Sequence, residues 1–213
     1  MMENNINPNQ MDQAQIEQMI KSGTTTVGIV VKDGVVMATE SQATAGYSVA
    51  SKQAQKLFEI NKFAAATIAG GVADCQYVIS QLRALSRLRE VERERVPEPK
   101  YMASICRNIL FSGRSFFQSM ILIGGYSMTE NSGKLYGIDL LGTLYEEDNY
   151  ISFGSGSSFV LGLLEADWKP KMTTPKGVNL LKTAITTAKE RDAGSGFEIQ
   201  LCTIDKTGFK HVS

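Results

Sequence analysis

The chain has 213 residues, 43% of them hydrophobic, with 22 basic and 22 acidic side chains and a formal net charge of zero. That is enough apolar material for one substantial core, and chains of this size are commonly a single domain. A neutral chain gives no electrostatic reason to expect a nucleic-acid or anionic-membrane partner, and no apolar run approaches the roughly 20 residues needed to cross a bilayer.

The chain begins MMENNINPNQMDQAQIEQMIKSG, polar and amide-rich, with a short amphipathic segment near Ile16 to Ile20. It lacks the basic and apolar regions of a signal peptide and reads as a poorly ordered leader. After Gly23 the texture changes. Val27, Ile29 and Val31 alternate with smaller or polar residues, Asp33-Gly34 supplies a hairpin turn, and Val35 to Ala38 returns as a second strand. Leu57 to Ile60 and Ala64 to Ala69 read as two more strands joined at Asn61-Lys62.

The pattern then switches to helix. Val78, Ile79, Leu82, Leu85, Leu88 and Val91 follow helical spacing, up to a charged end stopped by Pro97 and Pro99. Tyr101 to Phe116 reads as a second helix. Strands resume at Met120 to Gly124, Leu135 to Asp139, Thr143 to Tyr145 and Tyr150 to Phe153. GSGSS then turns into a helix through Leu161 to Trp168, and Val178, Leu181, Ile185 and Ala188 mark a fourth, ending near RDAGSG. Phe197 to Ile204 and Phe209 to Val212 close as strands. Strands come as hairpins and helices as consecutive pairs, which argues against a doubly wound sheet. An α+β fold is expected: a four-layer αββα sandwich of two mainly antiparallel sheets flanked by helix pairs.

Cys75, Cys106 and Cys202 are odd in number, far apart and outside any CxxC spacing. They read as reduced, mostly buried thiols of a cytosolic protein. His211, the only histidine, stands close to the chain end. Neither a Ser-His-Asp triad nor a histidine-rich metal site is expected, and no metal or other cofactor.

The chemistry starts at Gly23-Thr24. A threonine hydroxyl is a poor nucleophile until a base takes its proton, and an N-terminal threonine carries that base as its own α-amine. An α-amine ordinarily titrates at about pH 8, close enough to neutrality to suit the task. This needs a cleavage directly before the threonine, and a glycine there permits the tight turn that brings the hydroxyl onto the glycine carbonyl. Further along, Glu40 and Lys56 read equally as a surface ion pair, GSGSS as a turn and N-cap, and RDAGSG as a helix C-terminus ended by glycine.

TTTVGIVVKDGVVMATE resembles the start of a mature proteasome β subunit of the archaeal type, a threonine peptidase of the N-terminal-nucleophile hydrolases. KLFEI at Lys56 to Ile60, AGGVADCQ at Ala69 to Gln76, GSGSS at Gly154 to Ser158 and RDAGSG at Arg191 to Gly196 match in order. The resemblance runs from Gly23 to about Val212. It implies that residues 1–23 are a propeptide removed by self-cleavage at Gly23–Thr24, and that 24–213 form a single catalytic domain.

It further implies Thr24 as nucleophile, Lys56 as the catalytic lysine, Glu40 as the acid that holds it, and Gly70 as the oxyanion-hole N–H donor. Ser155, Asp192 and Ser195 would surround the threonine amine. Ala43, Thr44, Ala54, Ile68 and Val72 would line the pocket beside the scissile bond; being small or apolar, they imply cleavage after hydrophobic residues. Thr25 and Thr26 read as structural strand residues. Implied partners are homo-oligomeric β rings, heptameric and stacked in pairs, with proteasome α subunits, a regulatory ATPase acting through the α rings, and unfolded polypeptide substrates.

Two departures stand out. Gly194 occupies a position where family members often carry serine or alanine, and local loosening is expected. The chain ends at Ser213, where relatives usually continue into a helix, which would affect ring contacts or stability and no catalytic residue. The competing readings are another N-terminal-nucleophile hydrolase, such as the bacterial two-ring peptidase or a small-substrate amidase, and a catalytically silent ring subunit.

Overall fold

The computed structural model describes residues 23–212; the leader before Gly23, with its segment near Ile16 to Ile20, and Ser213 lie outside the described residues. The elements in chain order are β1 (Thr26–Val31), β2 (Gly34–Glu40), β3 (Ala43–Ala45), β4 (Ser48–Ser51), β5 (Leu57–Asn61), β6 (Ala64–Gly70), α1 (Val72–Arg93) and α2 (Pro99–Ser112). Then follow β7 (Ser119–Ser127), β8 (Ser132–Ile138), β9 (Leu144–Glu147), β10 (Tyr150–Phe153), α3 (Ser157–Asp167), α4 (Thr174–Arg191), β11 (Ile199–Asp205) and β12 (Gly208–Val212).

Two five-stranded sheets, ordered β10-β1-β2-β11-β12 and β5-β6-β7-β8-β9, are antiparallel throughout, and β3 and β4 form a separate hairpin. Period-two alternation assigns the faces. Val27, Ile29 and Val31 of β1 and Val36 and Ala38 of β2 meet Val160 and Leu164 of α3 and Leu181 and Ile185 of α4. Val35 and Met37, between them in sequence, meet Leu122, Leu135, Cys202 and Ile204 in the layer between the sheets. On the far side, Val78, Ile79 and Leu82 of α1 and Met102, Cys106 and Leu110 of α2 cover Ile68, Ile121, Ile123 and Tyr136. The result is the expected αββα sandwich. β2 is buried along its whole length, as a strand covered on both faces must be.

The differences from expectation are local. The first hairpin turns at Lys32-Asp33, with Gly34 already paired to Val31, and the next turns at Lys62-Phe63. The β3–β4 hairpin carries no apolar alternation to announce it; it is held by strand pairing, and Tyr47 near its tip is 91% exposed. α1 buries Cys75, Val78, Ile79, Leu82 and Ser86 on one face. Leu88 and Val91 lie off that stripe and face solvent. α2 ends at Ser112, short of the expected Phe116; beyond it the Phe116 N–H bonds back only three residues, to the Gly113 carbonyl at 2.8 Å, as in a turn.

The three cysteines are buried free thiols, as expected. His211 is exposed on β12, its ring edge-on to Phe209. No helix of the described residues is long and apolar enough to cross a membrane.

Candidate active site

Several element ends converge at one mouth of the sandwich. Gly23, Thr24 and Thr25 lead into β1, Glu40 ends β2, Lys56 immediately precedes β5, Ser155 follows β10 and Asp192 follows α4, while Gly70 ends β6 against the Gln118 carbonyl.

Thr24 is nearly enclosed at 3% exposure. Its Oγ1 donates to the carbonyl oxygen of Gly23 at 2.7 Å and accepts from Lys56 Nζ at 2.9 Å. Lys56 Nζ also reaches Glu40 Oε1 at 2.5 Å. With exposures of 2% for Lys56 and 0% for Glu40, this is a buried ion pair, and the surface reading falls. Removing one partner of such a pair typically costs about 3–5 kcal/mol. Glu40 has further support: Oε1 accepts the Thr25 N–H at 3.2 Å, and Oε2 accepts the N–H groups of Gln42 at 2.6 Å and Gly196 at 3.1 Å. Burial draws the Lys56 pKa below its usual 10.5, and the Glu40 carboxylate opposes that pull.

A second network surrounds the Thr24 nitrogen. The Thr24 N–H donates to Ser155 Oγ at 3.2 Å, and the Ser155 and Ser195 hydroxyls both donate to Asp192 Oδ2, each at 2.6 Å. Because the one Ser195 proton goes to Asp192, the Thr25 hydroxyl is the donor in its 2.6 Å contact with Ser195 Oγ. Asp192 also accepts the Gly194 N–H at 3.2 Å. A continuous set of hydroxyls and one carboxylate therefore runs from Thr24 N to Thr25.

Two glycines owe their identity to this geometry. Gly70 has a φ of +106°, and a Cβ there would stand 2.2 Å from the Gln118 carbonyl oxygen. Gly194 lies so close to the leader that its Cβ would stand 2.2 Å from Gly23 Cα. The expected loosening at Gly194 is therefore replaced by a close approach.

Of the residues expected beside the scissile bond, Thr44 holds the residue before it: its Oγ1 accepts the Gly23 N–H at 3.0 Å. Ala43, Ala54 and Val72 are partly exposed, while Ile68 is 2% exposed and sits in the core against α1.

Sequence reasoning missed three contributors. Thr25, read as a plain strand residue, places its hydroxyl on Ser195 and its N–H on Glu40. Thr26 is structural as expected, donating to the Thr67 hydroxyl between the sheets. Asp74, inside AGGVADCQ, accepts the Gln118 N–H at 2.9 Å while Gly71 donates to the Gln118 carbonyl at 2.8 Å; together they fasten the turn after Gly70. Gln42 ties the end of β2 to the loop after α4 through the Ala193 carbonyl at 2.9 Å. An acidic residue in a helix's first turn was the only available signal, and only for Asp74.

A family model described as "Proteasome subunit" matches residues 20–204. The chain belongs to the proteasome subunit family. Within it, the chain is 40% identical over 192 residues to a "Proteasome subunit beta" of Methanocaldococcus vulcanius, covering 90% of this chain and 86% of that one. It is 41% identical over 189 residues to the same-named subunit of Methanococcus aeolicus, covering 88% and 87%, and 39% over 200 residues to that of Archaeoglobus profundus, covering 93% and 92%. As a proteasome subunit of the archaeal β type, it carries Thr24, Glu40 and Lys56 in direct mutual contact.

Proposed function

We propose that this subunit is a threonine-type endopeptidase made as a precursor: residues 1–23 are a propeptide that the chain removes from itself, and residues 24–213 are the catalytic domain. The observation that carries this is the double hydrogen bonding of Thr24 Oγ1, at 2.7 Å to the carbonyl of the bond to be cut and at 2.9 Å to Lys56 Nζ.

Self-cleavage begins when Oγ1 attacks the Gly23 carbonyl carbon. The C–N bond then breaks, the Thr24 nitrogen takes up a proton, and an ester joins Gly23 to the threonine oxygen. Water hydrolyses that ester, releasing the propeptide as a carboxylate and leaving Thr24 with a free amine. Before cleavage there is no amine to serve as base. Lys56, paired with Glu40 and donating to Oγ1, already carries its proton, so its charge stabilises the negative charge developing on Oγ1 while the hydroxyl proton ends on the departing Thr24 nitrogen.

In the processed chain the amine becomes the base. The Lys56 charge holds the amine's pKa down and stabilises developing negative charge on Oγ1. Ser155, Asp192, Ser195 and Thr25 orient the amine, and the Gly70 N–H offers the oxyanion a donor. An extended peptide would lie beside Thr44 as an added strand.

By its relationship to archaeal β subunits, the subunit works in the cytoplasm in paired heptameric β rings. Proteasome α subunits would cap them, with a regulatory ATPase delivering unfolded chains. The test is intact mass after co-assembly with an α subunit. The wild-type chain should lose residues 1–23, while Thr24→Ala should keep them and hydrolyse no peptide. Continued propeptide loss in Thr24→Ala would mean that another protease makes the cut.

A further inference from the structure

Lys56 does its work at the end of a long side chain, so its main chain must be held. It lies just outside β5, an edge strand of its sheet. On one side the Lys56 carbonyl accepts the Ile68 N–H at 3.1 Å. The remaining groups converge on a single side chain from the opposite sheet. Gln200 Oε1 accepts the N–H of Lys56 at 2.9 Å and that of Leu57 at 3.0 Å, and Gln200 Nε2 donates to the Ala54 carbonyl at 2.8 Å.

Successive amides of an extended strand point to opposite edges. Two in a row on one oxygen therefore mark a bend in the chain, and the bend falls at the residue whose side chain turns inward to Thr24 and Glu40. Gln200 stands on β11 opposite Thr39, and its neighbour Ile199 stands opposite Glu40. The strand that fixes the carboxylate end of the ion pair thus also carries the amide that fixes the backbone of the ammonium end.

We infer that Gln200 is a positioning residue for Lys56: it bridges the two sheets at the active-site mouth and sets how far Nζ reaches toward Thr24 and Glu40. The inference rests on the proposed peptidase activity. Gln200 would touch neither substrate nor nucleophile. It acts through the lysine's main chain, and a displacement of about 1 Å in a catalytic group can cost on the order of a hundredfold in rate.

The test compares wild-type, Gln200→Leu and Gln200→Glu chains co-assembled with an α subunit, each measured for peptide kcat and KM across pH and for the rate of propeptide loss. Gln200→Leu keeps the bulk and removes all three hydrogen bonds. It should lower kcat by about ten- to a hundredfold with KM within about twofold, and slow propeptide loss in proportion. Gln200→Glu keeps an acceptor for both N–H groups, so it should recover most of kcat. Its carboxylate near Lys56 should also move the alkaline limb of the pH profile upward.

Unchanged kcat in Gln200→Leu would overturn the inference while leaving the peptidase reading intact. So would equal losses in both variants with an unmoved pH profile, the mark of a purely structural role. A wild-type particle with neither processing nor hydrolysis would overturn the peptidase reading and this inference with it.

Discussion

The buried pair of Glu40 and Lys56 predicts an asymmetry between two substitutions that break the same contact. Lys56→Met removes a cation that bonds to Glu40 Oε1 at 2.5 Å. The Glu40 carboxylate left behind still accepts three main-chain N–H groups, from Thr25, Gln42 and Gly196. Glu40→Ala leaves an ammonium with 2% exposure without its carboxylate and also strips those three N–H groups of their acceptor. Breaking a buried pair costs about 3–5 kcal/mol, and each orphaned buried donor adds about 1–3 kcal/mol, less whatever water or relaxation recovers. Glu40→Ala should therefore be the more damaging by at least about 1–3 kcal/mol. At about 2–4 °C per kcal/mol for a chain of this size, that is a further fall of roughly 2–12 °C in thermal midpoint. The assay is thermal unfolding at one fixed scan rate, in a Thr24→Ala background so that every particle keeps the same propeptide. A Lys56→Met particle that melts below Glu40→Ala would refute the assignment of Glu40 as the hub.

Three further outcomes follow from particular contacts. Gly194→Ala places a Cβ 2.2 Å from Gly23 Cα but 3.0 Å from Ser155 Oγ, so it should slow propeptide loss while largely sparing chains whose Thr24 is exposed by another processing enzyme; time-resolved intact mass checks this, and normal processing speed would count against the close approach. Because burial lowers the Lys56 pKa from 10.5 and Glu40 opposes it, activity that needs the charged lysine should fall on the alkaline side below that value. Glu40→Gln should move that limb to still lower pH, and an unmoved or upward shift would be contrary. Residues Ala43, Thr44, Ala54 and Val72 carry no charge, so fluorogenic peptides ending in leucine, phenylalanine or tyrosine should outperform acidic or basic ones; the reverse order would defeat the pocket assignment.

Much of the sandwich was legible because its physics is periodic. Val27, Ile29 and Val31 alternate as the residues on one strand face packed against helices do, and Val78, Ile79 and Leu82 trace the face α1 buries. Leu88 and Val91 misled because a run of i+3 steps from Leu82 drifts off the stripe that ends at Ser86. The β3–β4 hairpin was hidden because it is held by main-chain pairing and carries few buried side chains. Thr24, Glu40 and Lys56 could be found in the sequence through motif resemblance joined to the chemistry of an N-terminal threonine. Thr25, Gln42 and Gln200 could not, since each acts through a hydrogen bond to a residue distant in sequence: Ser195, Ala193 and Lys56 respectively.

The central claim is that Thr24 becomes an N-terminal nucleophile by cleavage of the bond before it. The most direct measurement is to treat the co-assembled, hydrolysing particle with a peptide-like β-lactone that acylates nucleophilic hydroxyls and to map the adduct by mass spectrometry. A single adduct is expected, on a peptide whose first residue is Thr24, with residues 1–23 gone. Hydrolysis by a particle whose Gly23–Thr24 bond is intact, or an adduct on Thr25, Ser155 or Ser195 instead, would contradict it.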